Sequence, residues 1–256
     1  MLRKPSKKLR RHNGILDALA LNPTMRVNAL ARELDVSAET VRRDLVELEQ
    51  AGRIRRTYGG AVRVREFEPA LTERLKLHIE ERDRIARHAV DLVGDAASIF
   101  IGGGATTLHF ARALRSTGRK ITVLTPTFSI ATELALNPLI EVMVLPGVVE
   151  PKEGLACGPE TLRYIAQYKT ALAVMGASAV NEEGVSEALL VAAQIYSAML
   201  DNADRNMILA DSSKFGKRSL QMILRWNSRV TLITEAEPPS VFRHRIEQLG
   251  AILAVA

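Results

Sequence analysis

The chain has 256 residues, 47% of them hydrophobic and 25% charged, which suits one large globular domain or a small domain joined to a medium one. A single cysteine, Cys157, excludes an intrachain disulfide framework and any multi-cysteine metal site, and no apolar run approaches the roughly 18 residues of a membrane-spanning helix. The formal charge is +6, and the whole excess lies early: residues 1–65 hold 15 Lys and Arg against 7 Asp and Glu, whereas residues 66–256 hold 20 against 22. One basic module on a near-neutral body points to a polyanion-binding head. The basic start has no apolar segment with a cleavage site behind it, and a lone cysteine fits a reducing compartment, so a cytoplasmic protein is expected.

Three helices are predicted first, over residues 8–21, 28–34 and 38–51. Leu9, Ile15, Leu16 and Leu19 stripe the first, and Asn22-Pro23 ends it. Ser37 is the expected N-cap of the third and Gly52 its stop. Val41, Leu45 and Leu48 fall at i, i+4, i+7 on one buried face. Ala31 is small where the second and third helices cross, and Asp35 tolerates the left-handed backbone their turn requires. This is the pattern of a helix-turn-helix. Two short strands follow, over 53–58 and 61–65, with Gly59-Gly60 read as the two-residue turn of a hairpin wing.

In a helix-turn-helix, the start of the second motif helix enters the major groove of double-stranded DNA. Ser37, Glu39, Thr40, Arg42 and Arg43 face outward there, and arginine can pair bidentately with guanine. Arg53, Arg55, Arg56, Arg63 and Arg65 in the wing would flank the duplex, and Lys7, Lys8, Arg10 and Arg11 form a basic lead-in. Residues 1–65 are therefore assigned to DNA binding and 66–80, with Pro69, to a linker.

Residues 81–256 alternate helical patterns with short apolar strands near 97–101, 121–125, 141–145, 171–175, 206–210, 230–234 and 252–256, with helices over 81–93, 106–115, 128–135, 160–168 and 191–203 between them. That alternation predicts an α/β domain with a largely parallel sheet. The loop Gly102-Gly103-Gly104-Ala105-Thr106-Thr107 joins a strand to a helix, a ready anion site. It is not a dinucleotide fingerprint, because Thr107 holds the third glycine position, and not a Walker loop, because no lysine follows. Thr125, Thr127 and Ser129 follow the next strand, Gly176 and Ser178 another, and Asp211-Ser212-Ser213-Lys214 a fourth. Ligands gather at strand C-termini in such sheets, so these loops suit a phosphorylated ligand with Lys214 as its point charge. The five histidines lack metal spacing, Cys157 lacks a histidine partner, and Trp226 reads as packing; no metal or cofactor is expected.

Several segments resemble the DeoR family of bacterial transcriptional regulators: Arg11-His12 to Ile15-Leu16, Val36 through Leu45, Arg55 through Val62, Glu73-Arg74, Ile85-Ala86, Gly158-Pro159 and Ala210 through Gly216. The resemblance implies a winged helix-turn-helix repressor of sugar or polyol catabolic genes, with a C-terminal domain similar to ribose-5-phosphate isomerase that senses a phosphorylated metabolite, here expected to be a sugar or polyol. Operator two-fold symmetry requires at least a dimer, so a homodimer or homotetramer is expected, with residues 81–256 as its sensing and oligomerisation body. Glu153-Gly154 and 160–166 resemble the glycerol-3-phosphate repressor branch.

The chain departs from the family pattern at three places. In the glycine loop Gly102 stands where many members have Asp and Ala105 replaces the first Thr, Thr125-Pro126-Thr127 replaces Thr-Asn-Ser, and Gln194-Ile195-Tyr196 replaces Glu-Val-Lys. A pocket without that acid and base is less polar, and its ligand smaller, differently placed or absent. Two other readings compete with the ligand-responsive repressor. A sugar-phosphate isomerase with an added basic domain would need a positioned acid or base, which Gly102, Gln194 and Tyr196 do not offer. A constitutive DNA-binding regulator with a degenerate sensor fits the same losses.

Overall fold

The computed structural model describes residues 7–21, 25–50, 54–57, 60–63 and 70–256. Their contacts form two compact units, one up to residue 68 and one from residue 69. No helix among the described residues is long and apolar enough to cross a membrane.

The first unit holds α1 (Lys7–Leu21), α2 (Val27–Glu33), α3 (Ala38–Gln50) and the antiparallel pair β1 (Ile54–Thr57) and β2 (Gly60–Arg63). Val41, Leu45 and Leu48 are buried as the spacing requires, with Ile15, Leu16 and Leu19 of α1, Leu30 and Ala31 of α2, and Ile54. Asp35 takes φ 51°, the left-handed turn expected of it. The hairpin register differs by one residue from the sequence reading. Thr57 pairs with Gly60, so Gly60 belongs to the strand. A hairpin needs only two residues outside its last pair, and two adjacent glycines leave the choice of pair open.

The second unit opens with a single helical turn, α4 (Leu71–Arg74), inside the stretch read as a linker, and then α5 (Ile79–Asp91). Its seven-stranded sheet is parallel throughout, built from β3 (Ser98–Ile101), β4 (Ile121–Thr125), β5 (Ile140–Val144), β8 (Thr170–Gly176), β11 (Ala203–Leu209), β13 (Val230–Thr234) and β14 (Ile252–Val255). The spatial order is β14-β13-β11-β8-β3-β4-β5. All seven are the apolar runs expected from the sequence. Side chains alternate across the sheet, as a period of two dictates. Ile99, Ile101, Leu172 and Val174 face α5, α6 (Ala105–Arg115) and α7 (Phe128–Leu134). Phe100, Ala173 and Met175 face the other core, with α8 (Pro159–Ile165), α9 (Leu190–Asp201) and α10 (Ser240–Gln248). Covering both faces is what makes these strands continuous apolar runs.

Two small sheets complete the unit: the hairpin of β6 (Val148–Glu150) and β7 (Leu155–Cys157), and β9 (Ala179–Asn181), β10 (Gly184–Glu187) and β12 (Gln221–Arg225) in the order β12-β10-β9. Cys157 is buried, its thiol donates to the Val148 carbonyl (3.3 Å), and burial pushes its pKa up. Trp226 is buried as well, with its indole N–H donating to the Asn181 carbonyl (2.7 Å).

Candidate nucleic-acid interface and effector crevice

Ser37 caps α3, its Oγ accepting the Thr40 N–H at 3.1 Å and lying 2.9 Å from the Thr40 hydroxyl. One turn on, Glu39 lies 3.6 Å from Arg42 and 3.5 Å from Arg43. All three side chains are more than half exposed, and Arg43 is 79% exposed. Pairs this open contribute little to stability; what they do is hold two guanidinium groups at the outward start of the helix. The five predicted residues of this helix therefore share one exposed end. Arg53 and Arg65 lie outside the described residues, as do the side chains of Arg55, Arg56 and Arg63.

The lead-in differs from its sequence reading. Arg11 donates both Nε and Nη2 to the buried Asp44 carboxylate, His12 Nε2 lies 3.1 Å from the same group, and Lys8 donates to Glu47 (2.8 Å). Arg11 and Lys8 thus bind α1 to α3. The signal was present in the sequence, since Asp44 falls one residue before Leu45 on the inward side of α3, where a carboxylate requires a cation. Burial alone would raise the Asp44 pKa, but hydrogen bonds from Arg11 and His12 outweigh it and hold the carboxyl below its ordinary value. His12, Asp44 and Glu47 lie close enough to share a cation, but Arg11 and Lys8 already neutralise both carboxylates.

In the body, the strand order reverses direction between β3 and β8. From β3 the chain steps outward through β4 to β5, then returns to β8 and steps the other way. Helices on either side of such a reversal diverge and leave a crevice at the strand C-termini. Gly102-Gly103-Gly104 leaves β3 there. Gly102 N–H still donates to the Val174 carbonyl (3.0 Å), and Gly104, at φ 136°, opens α6. Thr107 is buried and donates to the Gly104 carbonyl (3.1 Å), while Thr106 is buried beside it. Thr125 and Thr127 are fully buried, with Thr125 Oγ1 accepting the Thr127 N–H at 3.2 Å.

The structure brings Gly103, Thr127 and Tyr196 together. A Cβ on Gly103 would sit 2.8 Å from Thr127 Oγ1 and 3.0 Å from the Tyr196 hydroxyl, which donates to the Gly103 carbonyl (3.2 Å). Thr127 Oγ1 is buried and has no hydrogen-bond partner. Ser178 and Lys214 emerge from the next two strands, β8 and β11, and both are half-buried. Ser178 Oγ accepts the Ala188 N–H (3.2 Å), and Lys214 ends a turn of 3-10 helix, Ser212–Lys214.

That turn is held by Asp211, which the sequence places in the same loop, and by two groups it does not single out, Glu235 and Arg82. Asp211 is buried and accepts from the Ser213 N–H (3.2 Å) and hydroxyl. Glu235 takes the Ser212 N–H with both carboxylate oxygens (3.0 Å each). Arg82 of α5 reaches within 3.8 Å of Asp211 and donates to the Leu77 carbonyl (2.6 Å) and to that of Arg74, which itself pairs with Glu153. Arg82 sits in a charged run, so nothing local marks it as buried; only the packing of α5 on β11 does.

A profile of the DeoR-like helix-turn-helix domain matches residues 11–67, and one of the DeoR C-terminal sensor domain matches residues 77–236. The chain belongs to the DeoR family. Its relatives within that family include the HTH-type transcriptional repressor CsqR of Escherichia coli (30% identical over 93% of this chain and 91% of the other) and the lactose phosphotransferase system repressor of Lactococcus lactis (30% over 96% and 98%). The glycerol-3-phosphate regulon repressor of E. coli is 26% identical over 91% and 93%. As a DeoR-family protein the chain is a DNA-binding transcriptional repressor and not an enzyme. Among solved structures, ribose-5-phosphate isomerase A from Neisseria gonorrhoeae is similar over 54% of each chain, with a TM-score of 0.40 and 24% identity.

Proposed function

We propose that the body senses a phosphorylated sugar or polyol in the crevice between β3 and β8, and that its occupancy releases the head from an operator controlling carbohydrate or polyol catabolism. The observation that carries this is the reversal of strand order at a glycine loop that opens an eleven-residue helix. Backbone N–H groups at such a helix start favour an anion. Gly102, Gly103, Gly104, Thr106, Thr107, Thr125, Thr127 and Ser178 supply the amides and hydroxyls of this reading, and Lys214 the charge. The relatives named for glycerol-3-phosphate and lactose phosphotransferase regulons support a phosphorylated ligand class.

In the head, Ser37, Glu39, Thr40, Arg42 and Arg43 enter the major groove, and the wing arginines 53, 55, 56 and 63 meet phosphates. The protein works in the cytoplasm as a homodimer or homotetramer, since a two-fold operator needs paired heads. Residues 1–65 serve DNA binding, 66–80 link, and 81–256 sense and oligomerise. Ligand then shifts the population toward an arrangement whose heads no longer match the half-sites.

A thermal-shift screen of phosphorylated sugars and polyols, followed by operator release with the hits, tests this. Lys214→Ala should keep DNA binding and blunt the response, and effector titrations equal to the parent's would remove Lys214 from the site. If no phosphorylated compound shifts the melt or releases DNA, the protein is a constitutive regulator.

A further inference from the structure

The glycine loop has an unusual lid. Tyr196, on α9, is 4% exposed and lies against the loop from the core side. Its ring carbons Cε1 and Cδ1 stand 3.2 and 3.3 Å from the point a Gly102 Cβ would occupy, and the Met175 sulfur collides with that point. Its hydroxyl occupies the Gly103 carbonyl. The Thr127 hydroxyl, which with that of Tyr196 flanks the point a Gly103 Cβ would occupy, is fully buried and unpartnered. Such groups are rare in folded proteins and mark a place where a further atom completes the bonding.

The wall around the first two glycines is therefore a phenol ring, a thioether and one open hydroxyl. A six-carbon sugar ring presents several hydroxyls, each needing an acceptor or donor when it leaves water. An aromatic and thioether wall leaves them unpaired, and a site that cannot pair a polar group rejects its bearer strongly. A short phosphorylated compound presents its anion to the backbone amides of α6 and little else to satisfy.

We propose that Tyr196 is the specificity-determining residue of the crevice. Its ring bars ring-sized sugar phosphates, and its hydroxyl fixes the Gly103 peptide so that the α6 amides receive a three-carbon phosphorylated ligand. This rests on the crevice being the effector site.

Calorimetric titration of the full-length protein with inorganic phosphate, glycerol 3-phosphate and glucose 6-phosphate tests it, in the parent, Tyr196→Phe, Tyr196→Leu and Lys214→Ala. The parent should bind glycerol 3-phosphate at least tenfold more tightly than either other probe. Tyr196→Leu should narrow or invert the order of the two organic phosphates, a change that general loosening of the core would not produce. Tyr196→Phe, which keeps the ring and its core packing, should weaken glycerol 3-phosphate about tenfold and still exclude glucose 6-phosphate. Equal binding of the probes by the parent, or a Tyr196→Phe variant with parental affinities and order, would overturn the assignment. If Lys214→Ala abolishes binding while both Tyr196 variants behave as the parent, Tyr196 alone is dismissed. If the parent binds none of the three probes, the selectivity for a three-carbon phosphate is overturned, while the effector reading stands or falls on the wider screen.

Discussion

The head and the body use polar side chains in opposite ways. In the head, Glu39, Arg42 and Arg43 stand in solvent, and the buried Asp44 carboxylate serves to clamp α1 onto α3. In the body, Thr107, Thr125, Thr127 and Asp211 are all buried at the strand ends that form the proposed crevice. A polyanion as large as DNA is met by an exposed, charged surface, and sequence charge reports such a surface directly. A small ligand is met by few groups turned inward, and only topology brings those together.

The sharpest way to break this contrast is Asp44→Ala. Removing one partner of a buried pair leaves the other uncompensated, at about 3 kcal/mol, so the head should melt early in a denaturant titration while the body transition stays in place. A single unshifted transition would show that the clamp does not stabilise the head. The pH dependence follows the same pair. Asp44 has a folded pKa below its ordinary value of 3.8, so its contribution is complete above that value and is lost as pH falls through the lower folded value. Acid titration should destabilise the parent head in that window and the Asp44→Ala head less steeply.

The converse change is Gly102→Ala, whose methyl meets Met175 and Tyr196. Overpacking of this kind costs about 2 kcal/mol, and here it should fall on the body transition alone. Arg43→Ala should leave both transitions unmoved and weaken operator binding by about 1–3 kcal/mol, with relaxed preference at one base pair; an unchanged footprint would remove Arg43 from the groove. The smallest effect belongs to Ser37→Ala, about 1 kcal/mol of head stability from the lost cap, checked by the midpoint of the same denaturant curve.

Most of the architecture was legible in the sequence because its signals are local. Val41, Leu45 and Leu48 announce their helix by spacing, Asp35 its turn by tolerance of the left-handed backbone, and the seven sheet strands are short apolar runs. The strands of the small body sheets were not legible: β6, β7, β9, β10 and β12 have three to five residues each and lack the continuous apolar run of a strand covered on both faces. In the crevice, the hydroxyl and glycine residues could be named from the strand ends. The acids and bases that hold the Lys214 turn could not. Arg82 and Glu235 come from α5 and the end of β13, 129 and 24 residues away from Asp211 respectively in opposite directions along the chain, and no spacing rule relates them. Nor does the sequence alone explain why Gly102 and Tyr196 occur together; they are neighbours only once α9 lies on β3 and β8.

The solitary thiol of Cys157 offers experimental access to the ligand response. It is buried, engaged with the Val148 carbonyl, and shifted toward its neutral, unreactive form. Maleimide dyes will pass it by at neutral pH, so a cysteine introduced at an exposed head position such as Arg32 becomes the sole labelling point without prior removal of the native one. In the proposed homodimer or homotetramer, energy transfer between labelled copies would report the separation of the heads, before and after the proposed ligand is added.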